Sequence, residues 1–204
     1  MEDVSRVEGE LWAIILAAGQ SRRMGFPKML LTFNGRTMIE NVISNVSESK
    51  VENSIVVLGA ERDKLVKLMD KLNVRYCYNE KYKEGMLSSV KCGFRNLPTR
   101  YNAVLVFQGD QPLVSPNVIN AVIGAYLSSE KGIAIPVFKN RRGHPILISE
   151  RYKDEIEKLN PAKGLRSLAD KFSDDVLEVD TDDEGILRDF DTYEEYMKGI
   201  NLTQ

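Results

Sequence analysis

Two hydrophobic rhythms take turns along this chain. Leu11 to Ala17 is an unbroken apolar run, as expected of a strand buried on both faces. Thr37 to Val46 then places Met38, Ile39, Val42, Ile43 and Val46 on one helical face. Ser54 to Leu58 is a short β-branched run ended by Gly59, Glu61 to Leu72 a charged amphipathic helix, and Val74 to Tyr78 a third strand. Gly85 to Leu97 opens on glycine and serines and continues as a helix, and Ala103 to Phe107 is a fourth buried strand. Ser115 before Pro116 starts a helix through Val118 to Leu127, serine serving as N-cap and proline holding the first helical position. The alternation predicts an α/β fold: an open, mainly parallel twisted sheet with helices on both faces, in three layers.

The last third is more mixed. Ile133 to Phe138 and Pro145 to Ile148 read as strands around a basic turn, Lys139 to Gly143. Val176 to Val179 is another short strand, and Tyr193 to Ile200 a closing helix capped by Thr192. Residues 1–204 read as one domain, with 1–10 as a short lead-in.

Composition narrows the field by exclusion. A net charge of −2 gives no basic surface for nucleic acid and no polybasic membrane anchor. No apolar stretch approaches the ~18–20 residues of a membrane span, and the lead-in has no apolar run of a secretory signal. The two cysteines, Cys77 and Cys92, are not spaced as CxxC and read as reduced thiols of a cytoplasmic protein. The single histidine, His144, cannot build a histidine-rich metal centre.

Ligands of open α/β sheets bind beyond the carboxyl ends of the strands. The loop after the first strand falls there. Gly19 and Gly25 let the backbone turn and present N–H groups, Ser21 adds a hydroxyl, and Arg22, Arg23 and Lys28 bring three cations within seven residues. That set suits a triphosphate. Neither GxxxxGK[ST] nor GxGxxG occurs here, so the loop is neither a P-loop nor a dinucleotide fingerprint. Asp110, ending the fourth strand in Gly109-Asp110-Gln111-Pro112, is well placed to hold Mg²⁺, which takes one or two protein carboxylates and completes its shell with phosphate and water.

The loop resembles the signature of the nucleotidyltransferase superfamily that includes the molybdenum-cofactor nucleotidyltransferases, L-x-x-G-x-S-x-R-M-G-x-x-K-x-L. Leu16, Gly19, Ser21, Arg23, Met24, Gly25, Lys28 and Leu30 match every fixed position. The resemblance implies a nucleotide-diphospho-sugar-transferase-like, Rossmann-like fold. It implies a nucleotide-binding stretch of Leu16, Ala17, Ala18, Gly19, Ser21, Arg22, Arg23, Met24, Gly25 and Lys28, with Lys28, Arg23 and Asp110 catalytic. Gly109 and Asp110 match the family's G-D-x-P element, and the resemblance adds them to the nucleotide-binding residues. The tail Arg188-Asp189-Phe190-Asp191-Thr192-Tyr193-Glu194-Glu195 is similar to the family's D-x-D-T-x-E-D ending, which points to Asp191 as second metal ligand and leaves Asp189 as an alternative. Tyr193 stands where the family commonly has proline, and Asp182, Asp183 and Glu184 read as a solvated acidic turn.

Gly85, Ser88 and Ser89 resemble the family's base-side element, N…G-M-x-x-S-[LV]-x-x-G. Arg142 and His144, in Gly143-His144-Pro145, resemble its acceptor-side element. Guanylyl-transferring members tend to read L-A-G-G in the first loop and cytidylyl-transferring members L-A-A-G. Leu16-Ala17-Ala18-Gly19 therefore implies CTP, with Mg²⁺ or Mn²⁺ and a molybdopterin-type acceptor. Sugar- or polyol-phosphate transfer, GTP use, and a non-catalytic carrier serving a molybdenum hydroxylase through transient contact are the competing readings.

Overall fold

The structure, a computed structural model, describes residues 10–201. Apart from Glu10, which accepts a hydrogen bond from Asn53 Nδ2 (2.8 Å), the expected lead-in lies outside the described residues. Strand β1, Leu11–Ala17, is buried at every position. A two-stranded hairpin, β2 Thr32–Phe33 and β3 Arg36–Thr37, leads into helix α1, Met38–Ser47. Thr37 and Glu40 cap α1 reciprocally, each side chain meeting the other's backbone N–H. Strand β4 (Asn53–Leu58), helix α2 (Arg62–Leu72), strand β5 (Arg75–Tyr78) and helix α3 (Met86–Arg95) follow. Next come β6 (Ala103–Gln108), α4 (Pro116–Leu127), β7 (Ile133–Phe138), β8 (Arg141–Arg142) and β9 (Ile146–Ser149). Two six-residue helices, α5 (Lys153–Lys158) and α6 (Arg166–Lys171), precede β10 (Val176–Asp180) and the closing helix α7 (Tyr193–Asn201).

Among the described residues, all the strands apart from the hairpin join one sheet in the order β10-β7-β9-β6-β1-β4-β5, with β8 paired to β7. β6, β1, β4 and β5 run parallel, as do β7 and β10. β9 lies antiparallel between β6 and β7, so the sheet is mixed as well as mainly parallel. Strand alternation explains why β1 is apolar throughout. Leu11, Ala13, Ile15 and Ala17 face α1, α2 and α4, whereas Trp12, Ile14 and Leu16 face α3, α5 and α6.

The expected helices and strands form within one or two residues of their sequence limits. Four features were not expected: the hairpin at 32–37, strand β8 within the basic turn, α5 and α6. Among the described residues no helix is long and apolar enough to cross a membrane.

A smaller apolar cluster lies beyond the main core. Met24 of the first loop, Phe33 of the hairpin, Met38 of α1, and Phe190 and Tyr196 near the end of the chain pack together. The Phe33 and Phe190 rings are 5.3 Å apart, and Tyr196 Oη donates to the Thr32 carbonyl (2.6 Å). This cluster brings the last described residues to the first loop.

Candidate active site

The carboxyl ends of β1 and β6 lie side by side and supply the floor of a cleft of about 340 Å³. Gly109 makes their approach possible. Its N–H donates to the Leu16 carbonyl (2.9 Å), and a Cβ there would stand 2.8 Å from the same oxygen. Asn45 of α1 steadies the next turn by donating to the carbonyls of Pro112 (3.0 Å) and Val114 (2.9 Å).

The first loop leaves β1 and folds on itself. Met24 and Gly25 donate backbone hydrogen bonds to the Ser21 carbonyl (3.1 Å each), and the Lys28 N–H donates to Ser21 Oγ (3.1 Å). Ser21 and Gly25 hold the left-handed backbone conformation, with φ of 48° and 73°. Gly19, Ala18 and Leu16 line the cleft. Met24 is buried in the satellite cluster, where it anchors the loop, and Arg22 is exposed. The Ala18 methyl is directed at Gly59, where an added Cβ would lie 2.7 Å from it.

Lys28 is the centre of the charge arrangement. Its ammonium donates to Asp110 Oδ2 and to Asp191 Oδ1 (2.9 Å), and Asp191 Oδ2 accepts from Arg23 (2.5 Å). Burial alone would lower the lysine pKa. The charges and hydrogen bonds of Asp110 and Asp191 outweigh it and raise the pKa above the usual lysine value. Partial burial pushes the Asp191 carboxyl up, but Lys28 and Arg23 bring it below the usual aspartate value. Asp189 goes the other way, raised by partial burial and by the charges of Asp191 and Asp110. Of the two acids left open by the sequence, Asp191 is the one that shares Lys28 with Asp110. Among the described residues no group of three or more histidines, cysteines and acids converges as a metal cage. The Asp110–Asp191 pair nevertheless fits Mg²⁺ or Mn²⁺. Both carboxylates already grip one cation, and their hard oxygens are the donors such ions take.

The base-side residues divide. Gly85 and Ser89 line the cleft together with Tyr82 and Met86. Ser88 sits in the scaffold instead, within 2.8 Å of the Lys81 and Gly85 carbonyls and of Asn79 Nδ2. Buried Asn79 also reaches Ser89 Oγ (3.0 Å) and takes the Lys81 N–H (3.0 Å), so it organises the whole segment.

A second cavity of about 490 Å³ holds the acceptor-side residues Arg142 and His144, together with Arg141, Arg166 and Glu178. Arg142 Nε donates to Glu178 (2.7 Å). Arg166, at the start of α6, was not singled out by its sequence context. Gln108 lines the first cavity and donates from Nε2 to the His144 ring (3.1 Å to Nδ1), so one hydrogen bond connects the two walls. Burial drives the His144 pKa from 6.5 down to about 4, with Asp110 opposing weakly. His144 is therefore neutral at pH 7 and brings no positive charge to an anionic ligand.

This gives a pH prediction. The folded pKa lies below the unfolded one, so between pH 6.5 and 4 the unfolded chain binds a proton that the folded chain refuses. Stability is then lost as the pH falls through that window, by up to about 3 kcal/mol from this group. His144→Gln is expected to flatten the decline relative to the parent in urea titrations at pH 7, 5 and 4. Parallel declines in the two proteins would show that the residue does not titrate this way.

A glycine-containing loop, a lysine and two carboxylates around one cleft suit the binding of phosphate groups together with a divalent cation. The chain belongs to the family of MobA-like NTP transferase domains, whose description matches residues 13–176. It is 30% identical over 153 residues to a probable molybdenum cofactor guanylyltransferase of Methanosarcina mazei, covering 72% of this chain and 66% of that protein. It is 32% identical over 142 residues to the bifunctional protein GlmU of Clostridium kluyveri, covering 68% of this chain but only 31% of the relative. The fold is similar to that of Rv0371c from Mycobacterium tuberculosis H37Rv, with a TM-score of 0.84, 23% identity, and coverage of 95% and 98% of the two chains. The same mycobacterial protein has also been solved in complex with manganese, at a TM-score of 0.77 and 21% identity, with 94% and 98% covered.

Proposed function

We propose that this chain transfers a nucleoside monophosphate from GTP to the phosphate of a molybdopterin-type acceptor and releases pyrophosphate. The observation that carries the transfer reaction is Lys28, held between Asp110 and Asp191 at the mouth of a cleft lined by the first loop. The archaeal relative supports the acceptor and the base. Ala18 favours a second reading, CTP, on the first-loop resemblance. That methyl packs on Gly59, and a similarity spread over 153 residues outweighs it.

The acceptor phosphate oxygen would attack the α-phosphorus in line. The new P–O bond forms as the bond to the bridging oxygen breaks, and pyrophosphate leaves. A phosphate monoester is already anionic at neutral pH, so no strong base is needed, in keeping with a neutral His144. The loop N–H groups and Ser21 receive the triphosphate. Lys28, offered phosphate oxygens in place of its carboxylates, and Arg23 stabilise the leaving group. Asp110 and Asp191 would hold Mg²⁺ or Mn²⁺, which when bound neutralises phosphate charge and fixes geometry. Arg141, Arg142 and Arg166 put positive charge where the acceptor would lie.

The test is pyrophosphate release with Mg²⁺ or Mn²⁺, each of the four triphosphates, and either molybdenum cofactor or sugar phosphates. Release is expected only with the molybdenum cofactor and fastest with GTP. A preference for CTP would select the second reading. Turnover of a sugar phosphate without turnover of the molybdenum cofactor would overturn the acceptor.

A further inference from the structure

Cys77 and Cys92 are 15 positions apart in a spacing that suggests no pairing, yet their sulfurs lie 3.8 Å from each other. Cys77 is on β5, the strand at one edge of the sheet, and Cys92 is on α3. Both are free thiols. Cys77 is buried in the apolar cluster under α3, and Cys92 is half-exposed. The chain between them carries Asn79, Gly85, Ser88 and Ser89, the whole base-side segment.

We propose that Cys77 and Cys92 form a reversible oxidation site, which a hydroperoxide closes into an intramolecular disulfide fastening β5 to α3. The Cys92 thiolate attacks one peroxide oxygen. The O–O bond breaks, and the leaving oxygen takes up a proton to give water from hydrogen peroxide, or an alcohol from an organic peroxide. The Cys77 sulfur then attacks the Cys92 sulfenic acid. The S–S bond forms, the S–O bond breaks, and the hydroxyl leaves as water with the Cys77 proton. Two thiols lose two electrons and one peroxide gains them.

The environment assigns the two roles. Cys92 is reachable from solvent, and its thiol is held at about 7, chiefly by the hydrogen bond from Cys77, with Arg95 assisting against burial. The same hydrogen bond and burial push Cys77 up, so it keeps its proton until the second step. Closing the pair would tie both ends of the base-side segment and stiffen residues 79–89.

The test uses the full chain, reduced, freed of reductant and exposed to hydrogen peroxide. Its intact mass is expected to fall by two hydrogens and to recover with dithiothreitol, and a peptide map should join Cys77 to Cys92. The melting midpoint should rise by roughly 5 °C, and amide exchange over 79–89 should slow. Cys92→Ser, at a half-exposed position, should show none of these changes. The proposal is overturned if both thiols persist, if Cys92 is driven to the sulfinic acid or joins a second chain while Cys77 stays reduced, or if the linked form melts lower. These readouts need no turnover, so they stand apart from the assignment of substrate.

Discussion

Asp110→Asn should lower kcat/KM for nucleotidyl transfer about 10³-fold or more while the protein stays folded. The substitution keeps the side chain's shape and one acceptor oxygen for Lys28, and removes the charge a divalent cation would require. Asp110 is nearly enclosed, its side chain only 9% exposed, so water cannot substitute for the lost carboxylate. Stability should change little, because Lys28 retains Asp191 and the turn is still held by Gly109 and Asn45. Pyrophosphate release at saturating triphosphate, with circular dichroism as the control for folding, makes the comparison. A rate within tenfold of the parent would remove Asp110 from the chemistry.

Lys28→Met reaches the same site from the opposite charge. Transfer is expected to fall about 10²–10³-fold, the scale for losing one group that stabilises developing charge. The second effect is more diagnostic. Without the ammonium, Asp110 and Asp191 face each other with only Arg23 to compensate, and Arg23 touches Asp191 alone. Leaving a buried pair half-matched should cost about 1–3 kcal/mol in metal-free buffer. Mg²⁺ or Mn²⁺ should restore that stability and raise the melting midpoint more in the variant than in the parent, where the lysine already occupies the space between the carboxylates. An equal metal response in both proteins would mean that Lys28 and the cation do not compete for those oxygens.

Much of this arrangement was readable from the chain. The apolar runs placed β1, β4, β5 and β6, and the helical spacing of Met38, Ile39, Val42, Ile43 and Val46 placed α1, because period and burial are local properties. Strand direction is not local. Pro145 to Ile148 read as a strand, but nothing in a four-residue apolar run says that it lies antiparallel between β6 and β7. Helices α5 and α6 have six residues each, too short to show a period. The hairpin did have a marker, Asn34-Gly35, whose φ values of 51° and 78° suit a two-residue turn. At the site, the sequence left Asp189 and Asp191 open because residues two apart can share a face. Only the shared hydrogen bonds of Lys28 separate them. Arg166 and the Cys77–Cys92 contact depend on how distant segments meet, which spacing along one chain does not encode.

The satellite cluster of Met24, Phe33, Met38, Phe190 and Tyr196 is buried and carries no charge, yet it fixes the reach of the site. Lys28 and Asp191 are 163 positions apart along the chain, and the gap between them is set by apolar side chains that carry no charge. The opening loop and the closing segment therefore act as the two jaws of a gauge with one hinge. Loosening any of those five side chains changes the spacing of both jaws at once, whichever end of the sequence the change is made in.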